Sequence, residues 1–254
     1  MVGMRIAFGL PGLPQAITIA ATQTRRGRYM QFDDVILGRR SIRGYKPDPV
    51  PRKLIEEIIA LAMRAPSSMN TQPWNFYVIT GEPLNRIRAG NTERMTAGVP
   101  QSREFRTGQA FAGIHRDRQI GVAKQLFSAM GIERDDKERR QDWVLRGFRQ
   151  FDAPVCVIVT YDRALDGSDD TPFDCGAVTT ALVNAAWSRG LGAVINSQGI
   201  MQSPVVREHA GIAEDQVIMK SIALGWPDET FPANAVVSTR KPVDEAAVFV
   251  GFDE

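Results

Sequence analysis

The sequence is poor in the residues from which metal and nucleophile sites are usually built. Its 254 residues include two cysteines, Cys156 and Cys175, and two histidines, His115 and His209. No CxxC pair occurs, so no zinc-type cluster can be assembled from these side chains. Each cysteine lies in or beside an apolar run. This favours two buried, reduced thiols in a cytoplasmic protein over a disulfide.

An excess of one charge and a long apolar run are also missing. The chain has 31 basic and 29 acidic residues, a net charge of +2, which argues against a nucleic-acid-binding protein that would use the arginines of 25–28 and 39–43. No apolar run approaches the ~20 residues that cross a bilayer. We therefore expect neither a nucleic-acid nor a membrane partner.

Several common catalytic motifs are absent. No GxGxxG follows a predicted strand, and no Walker A loop, GxSxG or HExxH occurs. These absences exclude Rossmann dehydrogenases, P-loop NTPases, α/β-hydrolases and zincins. The sequence thus offers no nucleophile or base on which catalysis would rest.

The length suits one large domain with a sizeable core, which we place at 30–254. Residues 1–29 hold four arginines and no acidic residue. A signal or transit peptide would have this charge, but Pro11 and Pro14 interrupt its apolar region. An N-terminal arm or extension is the preferred interpretation.

Periodicity predicts alternating helices and strands. The segment 51–64 places Ile55, Ile58, Ile59 and Ala62 on one helical face, and 154–162 is a continuous apolar run of strand length. Residues 82–150 are mostly helical, with an apolar stripe of Ile120, Leu126, Phe127 and Met130. The predicted elements are helices at 51–64 and 174–189 and strands at 74–80, 154–162, 191–197 and 216–227. One central sheet with helices around it is expected, of the α/β or α+β class.

Two polar loops carry the candidate site residues. "GRRSIRGYKP" (38–47) packs three arginines around Ser41, and guanidinium and hydroxyl groups at this spacing suit a phosphate. On these residues alone a solvated basic loop is equally open. "RAPSSMNTQPW" (64–74) packs hydroxyl and amide side chains that can read the edge of a planar heterocycle, or that simply face water.

Taken with later segments, these loops resemble the nitroreductase family of FMN-dependent flavoproteins. "FDAPVCVIVTYD" (151–162) is similar to the family's central strand, and "DCGAVTTALVNAAWSRGLGAVINSQGI" (174–200) to its central helix, strand and turn. "STRKPVDEAAVFV" (238–250) is similar to its closing basic motif and crossing tail. The resemblance implies an α+β fold, a three-layer sandwich with a mostly antiparallel sheet, whose C-terminal tail crosses to a partner subunit.

The resemblance also implies roles for particular residues. Arg39, Arg40, Ser41 and Arg240 would surround the FMN phosphate and ribityl chain, with Arg43 near the pyrimidine side of the ring. Pro66, Ser67, Ser68, Asn70 and Gln72 would contact the ring and ribityl chain. The turn of Ser197, Gln198 and Gly199 would place a backbone N–H near flavin N5. Gln198 stands where the family commonly has an acidic residue.

The implied activity is NAD(P)H-dependent reduction of nitroaromatic or quinone compounds. Hydride would pass to flavin N5, the product would leave, and the acceptor would enter the same pocket, in a homodimer with two shared FMN sites. The region 83–147 matches the family poorly and is interpreted as a variable helical lid. Phe111, His115 and Trp143, with Phe105 and Phe148, are its substrate candidates, although such residues are often plain core. Reductive dehalogenation, flavin cleavage and flavin binding without turnover stay open alternatives.

Overall fold

A four-stranded antiparallel sheet forms the centre of the molecule. The computed structural model describes residues 30–105 and 110–252; the N-terminal arm lies outside them. The strands are β1 (Trp74–Thr80), β2 (Val155–Asp162), β3 (Gly192–Asn196) and β4 (Gln216–Gly225), in the order β1-β2-β4-β3. All four predicted strands are confirmed.

Helices cover both faces of this sheet. In the described residues they are α1 (Phe32–Gly38), α2 (Arg52–Ala62), α3 (Gly81–Thr96), α4 (Gly113–Ala129), α5 (Lys137–Phe148), α6 (Asp170–Trp187) and α7 (Ser203–Ala210). The first core cluster joins α2 and α6 to one sheet face, and a second joins α3 and α7 to the other. With helices on both faces, the predicted three-layer architecture is confirmed. The predicted antiparallel sheet is confirmed too, since every pairing between named strands is antiparallel.

Local sequence explains why α2 forms and which face it buries. Pro51 precedes its first residue, a position that costs no helical hydrogen bond. Ile55, Ile58 and Ala62 are buried against the core, as their spacing predicts. On the outer side Arg52 donates to Glu56 at 2.7 Å, an exposed i,i+4 pair that adds a few tenths of a kcal/mol.

The central helix α6 is longer at its start than predicted. It begins at Asp170 and ends at Trp187, and the chain reverses three residues later at Gly190, whose φ of +79° suits glycine. Its outward stripe consists of uncharged residues, namely Phe173, Gly176, Ala177, Thr180 and Asn184. A Cβ built on Gly176 would meet nothing within 4 Å. An uncharged helix face is thus open to further packing.

Both cysteines are buried and unpaired. Cys156 belongs to the cluster under α3 and α7, and Cys175 to the cluster under α2 and α6. The sheet separates them, so no disulfide between them can form. The predicted reduced thiols are confirmed.

The region 83–147 is largely helical, as predicted, but its packing differs from the predicted stripe. On α4 only Leu126 is buried among the described residues, while Ile120 is exposed. The reason is that α4 packs weakly on the rest of the fold, so its apolar side chains find few neighbours. The tail after Arg240 forms no strand within the described range and exposes Val248, Phe249 and Val250.

None of the described helices is long and apolar enough to cross a membrane. Within 30–105 and 110–252, no group of three or more histidine, cysteine or acidic side chains could hold a metal ion.

Candidate functional site

The basic segment 39–43 lies along the free edge of β3. Ser41 forms a parallel bridge with Ala193, and the Ile42 N–H donates to the Ala193 carbonyl at 3.1 Å. Gly192 permits this approach, because a Cβ there would lie 2.6 Å from Ile42 Cγ1. The segment is therefore held by the sheet, and its side chains are placed by β3.

Asn234 fixes the far end of this segment, and sequence reasoning missed it. Its Oδ1 accepts from the Arg43 N–H at 2.7 Å and the Gly44 N–H at 3.2 Å, and its Nδ2 donates to the Gly44 carbonyl at 2.8 Å. Asn234 is buried and lies 191 residues from Arg43. No motif marks a single asparagine in a one-turn 3-10 helix, so no sequence signal could have found it.

Arginine side chains gather at the other end. Burial lowers the pKa of Arg39, and the positive charge of Arg240 lowers it further. The Arg40 Nε is buried with no hydrogen-bond partner in the part of the chain that the structure describes. Arg39 and Arg40 line a cavity of about 450 Å³ beside Trp187. An anion here would offset the repulsion and give the buried N–H an acceptor.

The turn after β3 adds polar groups next to the basic segment. The Gln198 N–H donates to Asn196 Oδ1 at 3.0 Å, and the Ser197 hydroxyl lies 2.7 Å from Lys220 Nζ. Burial lowers the Lys220 pKa, and so does the charge of Arg103. Sequence reasoning also missed Lys220. A single charged residue within the apolar strand "QVIMKSIALG" is the sequence feature that could have identified it.

The second polar loop is anchored to α6. The Ser68 N–H donates to Asp174 Oδ2 at 3.0 Å, and the Gln72 N–H donates to Ser67 Oγ at 3.0 Å. Met69, Asn70 and Gln72 have φ values of +49°, +58° and +47°. Such left-handed residues other than glycine are uncommon and tend to persist at functional sites.

The two polar loops are held at opposite ends of α6. Asp174 holds Ser68 near the start of the helix, whereas Trp187 at its end lies against Gly38, with Nε1 3.3 Å from where a Cβ would be. The 13 residues between these contacts span ~20 Å of helix. The basic segment 39–43 and the turn 197–199 are thus both positioned by β3. Within one chain, the polar loop 67–72 lies apart from Arg39 and Arg40.

The predicted substrate residues do not gather at this site. Phe111 is 63% exposed before α4, His115 is exposed in the first turn of α4, and Trp143 is half-buried on α5. Phe105 packs edge-to-face on Tyr161, and Phe148 is buried in the core. A substrate role for Phe111, His115 and Trp143 stays a prediction.

Comparison with known proteins agrees with this geometry. The model of the nitroreductase family matches residues 36–226, a span that holds the basic segment, the polar loop and the turn. The chain belongs to the nitroreductase family. The resemblance drawn from the motifs is confirmed, and with it a fold built to carry oxidoreductase chemistry.

Characterised relatives of this nitroreductase family member include two enzymes that act on nitrobenzenes. The nitrobenzene nitroreductase of Ectopseudomonas oleovorans is 36% identical over 222 residues, which cover 86% of this chain and 96% of the relative. The chloronitrobenzene nitroreductase of Comamonas testosteroni is 34% identical with the same coverage. These relatives match nearly their whole length.

Solved structures in the family share the fold. The FMN- and NADPH-dependent nitroreductase NfnB of sphigopyxis sp. strain HMH is 28% identical, with a TM-score of 0.83 over 88% of this chain and all of that one. NfnB of Mycobacterium smegmatis, solved in complex with NADPH, is 25% identical with a TM-score of 0.80, over 86% and 97% of the two chains.

Proposed function

We propose that this protein is an FMN-dependent NAD(P)H oxidoreductase that reduces nitroaromatic compounds, with quinones as alternative acceptors. The observation that carries the proposal is the pair of Arg39 and Arg40, which line the cavity beside Trp187, with the charge of Arg240 close to Arg39. Repelling cations with a buried, unpaired N–H form a site for a phosphate-bearing ligand. The nitrobenzene-reducing relatives indicate the substrate class.

The residues present fit FMN. Arg39, Arg40, Ser41 and Arg240 would bind its phosphate and ribityl chain, and Arg43 would lie near the pyrimidine. Bound FMN would accept a hydride from the reduced nicotinamide and pass it to the nitro group. The protein binds and orients: Asn234 fixes the backbone at Arg43. Asn196 accepts from the Gln198 N–H and so holds the turn, whose next N–H, that of Gly199, would face N5.

Catalysis by such a site needs no protein nucleophile, which suits the missing catalytic motifs. The polar loop with Pro66, Ser67, Ser68, Asn70 and Gln72 would contact the ring and ribityl chain. Its anchor lies at the far end of α6 from Trp187. We therefore assign the loop to the flavin of a second copy of the chain.

This assignment requires a homodimer with two shared sites. Two features support it: the uncharged outward stripe of α6, and the exposed apolar tail residues Val248, Phe249 and Val250. Apolar surface of this kind commonly marks an interface. The two buried free thiols suit a reducing compartment, and we place the protein in the cytoplasm.

The test is purification followed by three measurements. Released flavin should be FMN rather than FAD, light scattering should give a dimer, and nitrobenzene should be turned over with NADH or NADPH. A colourless protein that takes up no FMN would contradict the cofactor. Bound FMN that no nicotinamide reduces would leave a binding protein without turnover.

A further inference from the structure

The end of α5 interlocks with the turn after β3 through two glycine–glutamine contacts. A Cβ on Gly147 would lie 1.9 Å from Gln198 Oε1, and a Cβ on Gly199 would lie 1.9 Å from Gln150 Nε2. Neither glycine has a positive φ. Space, and not backbone conformation, therefore demands glycine at both positions. We call these four residues the interlock.

Buried hydrogen bonds join the same two segments. Asn196 Nδ2 donates to the Gly147 carbonyl at 2.7 Å and to Gln150 Oε1 at 2.9 Å. On the other side, Asn91 Nδ2 donates to the Gly199 carbonyl at 2.9 Å. The three amide side chains are almost fully buried. Asn196 is bonded through both its Nδ2 and its Oδ1, and a buried amide bonded in this way defines one arrangement of the groups around it.

The backbone at Gln150 is unusual. Gln150, Phe151 and Asp152 are consecutive residues with φ values of +57°, +53° and +56°, and none is glycine. Residues other than glycine rarely adopt this region, and they keep it where the surroundings over-determine it. Arg88 supplies part of that restraint, because its guanidinium donates to the carbonyls of Arg149 and Ala153. This conformation directs the Gln150 amide over Gly199.

We propose that Gln150 is a positioning residue for hydride transfer: it holds the Gln198–Gly199 backbone so that an N–H points at flavin N5. The inference rests on the proposed function. The turn is pinned on both flanks, by Asn196 at Gln198 and by Gln150 and Asn91 at Gly199. A backbone donor fixed before the cofactor binds needs no reorganisation during reaction.

The interlock also ties the lid to the site. Gly147 lies in α5, and Gln198 Nε2 donates back to the Val144 carbonyl at 3.3 Å. A displacement of α5 would therefore move the turn. A substrate that binds against α5 would therefore change the direction of the turn's N–H group. Binding of the acceptor would in this way affect the contact at flavin N5.

The test compares Gln150→Asn, Gly199→Ala and the double variant, each saturated with FMN. Asparagine tolerates a left-handed backbone but is one methylene shorter, so it loses the contact with Gly199. We expect Gln150→Asn to slow nicotinamide-driven flavin reduction about 10- to 100-fold. The absorption band of bound FMN should shift towards that of free FMN, while the Kd for FMN changes less than about threefold.

The double variant tests whether residues 150 and 199 act on the turn through the same contact. Alanine at 199 collides with the Gln150 amide, and the shorter asparagine removes the collision, so the double variant should be reduced faster than Gly199→Ala alone. The control is Gln202→Asn, which shortens another buried amide, bonded to Arg94. It should lower the melting temperature without shifting the flavin band.

The outcomes separate this inference from the proposed function. If wild type binds FMN and is reduced by nicotinamide, but Gln150→Asn keeps its rate and spectrum, Gln150 does not position the turn. If wild type takes up no FMN, the proposed function itself fails. If Gly199→Ala does not fold, the spectrum of Gln150→Asn alone decides.

Discussion

At the residue scale, the positive charges of Arg39 and Arg240 lower the stability of the folded protein when no anion is bound between them. The charge of Arg240 disfavours the charged form of Arg39, which burial already disfavours. Within 30–105 and 110–252, no ion pair with an acidic side chain offsets this repulsion. The pair is thus unfavourable in the empty protein and becomes favourable around a phosphate.

Alanine at Arg39 or Arg240 should therefore weaken FMN binding without harming the fold. Each charged hydrogen bond to phosphate contributes ~1.5–3 kcal/mol, so the Kd should rise about 10- to over 100-fold. Fluorescence titration of the apoprotein measures it. Excess FMN should restore much of the turnover, and a failure to restore any would assign these arginines a catalytic or structural role. Arg52→Ala, on the exposed face of α2, is the control.

The two thiols are protected by burial. Burial raises the pKa of Cys156 to about 12, and that of Cys175 to about 12 as well. The thiolate is the reactive form, so at pH 8 each thiol is almost entirely protonated and inert. A disulfide reagent at that pH should modify neither cysteine until the protein is unfolded. Rapid modification of the folded protein would contradict the buried placement.

The Cys156 thiol also makes stability depend on alkaline pH. Its folded pKa of about 12 lies above the value near 8.5 of an unfolded chain, so the unfolded state loses this proton first. Stability should fall as pH rises from about 8.5 towards 12, by up to ~1.4 kcal/mol per pH unit. Urea unfolding of wild type and Cys156→Ala measures the slope, which should be shallower in the variant. Equal slopes would show that another group titrates.

At the scale of single elements, α6 connects packing to function. One side fills the first core cluster, its start holds the polar loop through Asp174, and its end packs beside the basic segment through Trp187. The remaining side carries no charge along Phe173, Gly176 and Thr180. The two polar loops held by α6 lie too far apart to contact one flavin within one chain. If both loops contact the same flavin, a second chain must pack on this side of α6.

Gly176→Arg tests this face directly. A Cβ there meets nothing in one chain, so a monomer should tolerate the change or gain somewhat less than the ~0.8–1 kcal/mol of helix propensity that separates glycine from alanine. In a dimer packed on α6 the arginine should cause dissociation and loss of bound flavin. Light scattering and flavin content measure both effects. Ala60→Arg, on the exposed side of α2, is the matched control; a dimeric, yellow Gly176→Arg protein would place the interface elsewhere.

At the scale of the whole molecule, the C-terminal tail lies outside the sandwich. After Arg240 it contacts α4 through an exposed pair of Arg118 and Glu245, and then exposes an apolar run. An exposed ion pair contributes little, so the tail has little to hold it on its own chain. The proposed dimer would bury this apolar run.

Two truncations separate the roles of the tail. Ending the chain after Val237 removes Arg240 and the apolar run, and should reduce both flavin content and dimer stability. Ending it after Glu245 keeps Arg240, and should weaken the dimer while leaving more flavin bound. Sedimentation and flavin release measure the two properties. Unchanged flavin content in the protein that ends after Val237 would show that the tail has no part in the site.

The sequence alone determined the four strands, the helices α2 and α6, and the family. The β-branched run of β2, the apolar stripe of α2 and the small residues of α6 are local patterns, readable because each element imposes a fixed spacing on its buried residues. Two polar loops and a turn, in a fixed order, indicated the nitroreductase family and the flavin site. Cysteine burial followed from the neighbouring residues.

The tertiary structure alone decided which of these segments meet. Asn234 clamps Arg43 from 191 residues away, Lys220 reaches Ser197 across neighbouring strands, and Gln150 covers Gly199. Single residues at such separations have no periodicity that a sequence could show. The structure also decided how far apart the two polar loops lie, although the sequence shows both loops. They are held at opposite ends of α6, and a rigid helix separates its contacts by ~1.5 Å for every residue between them.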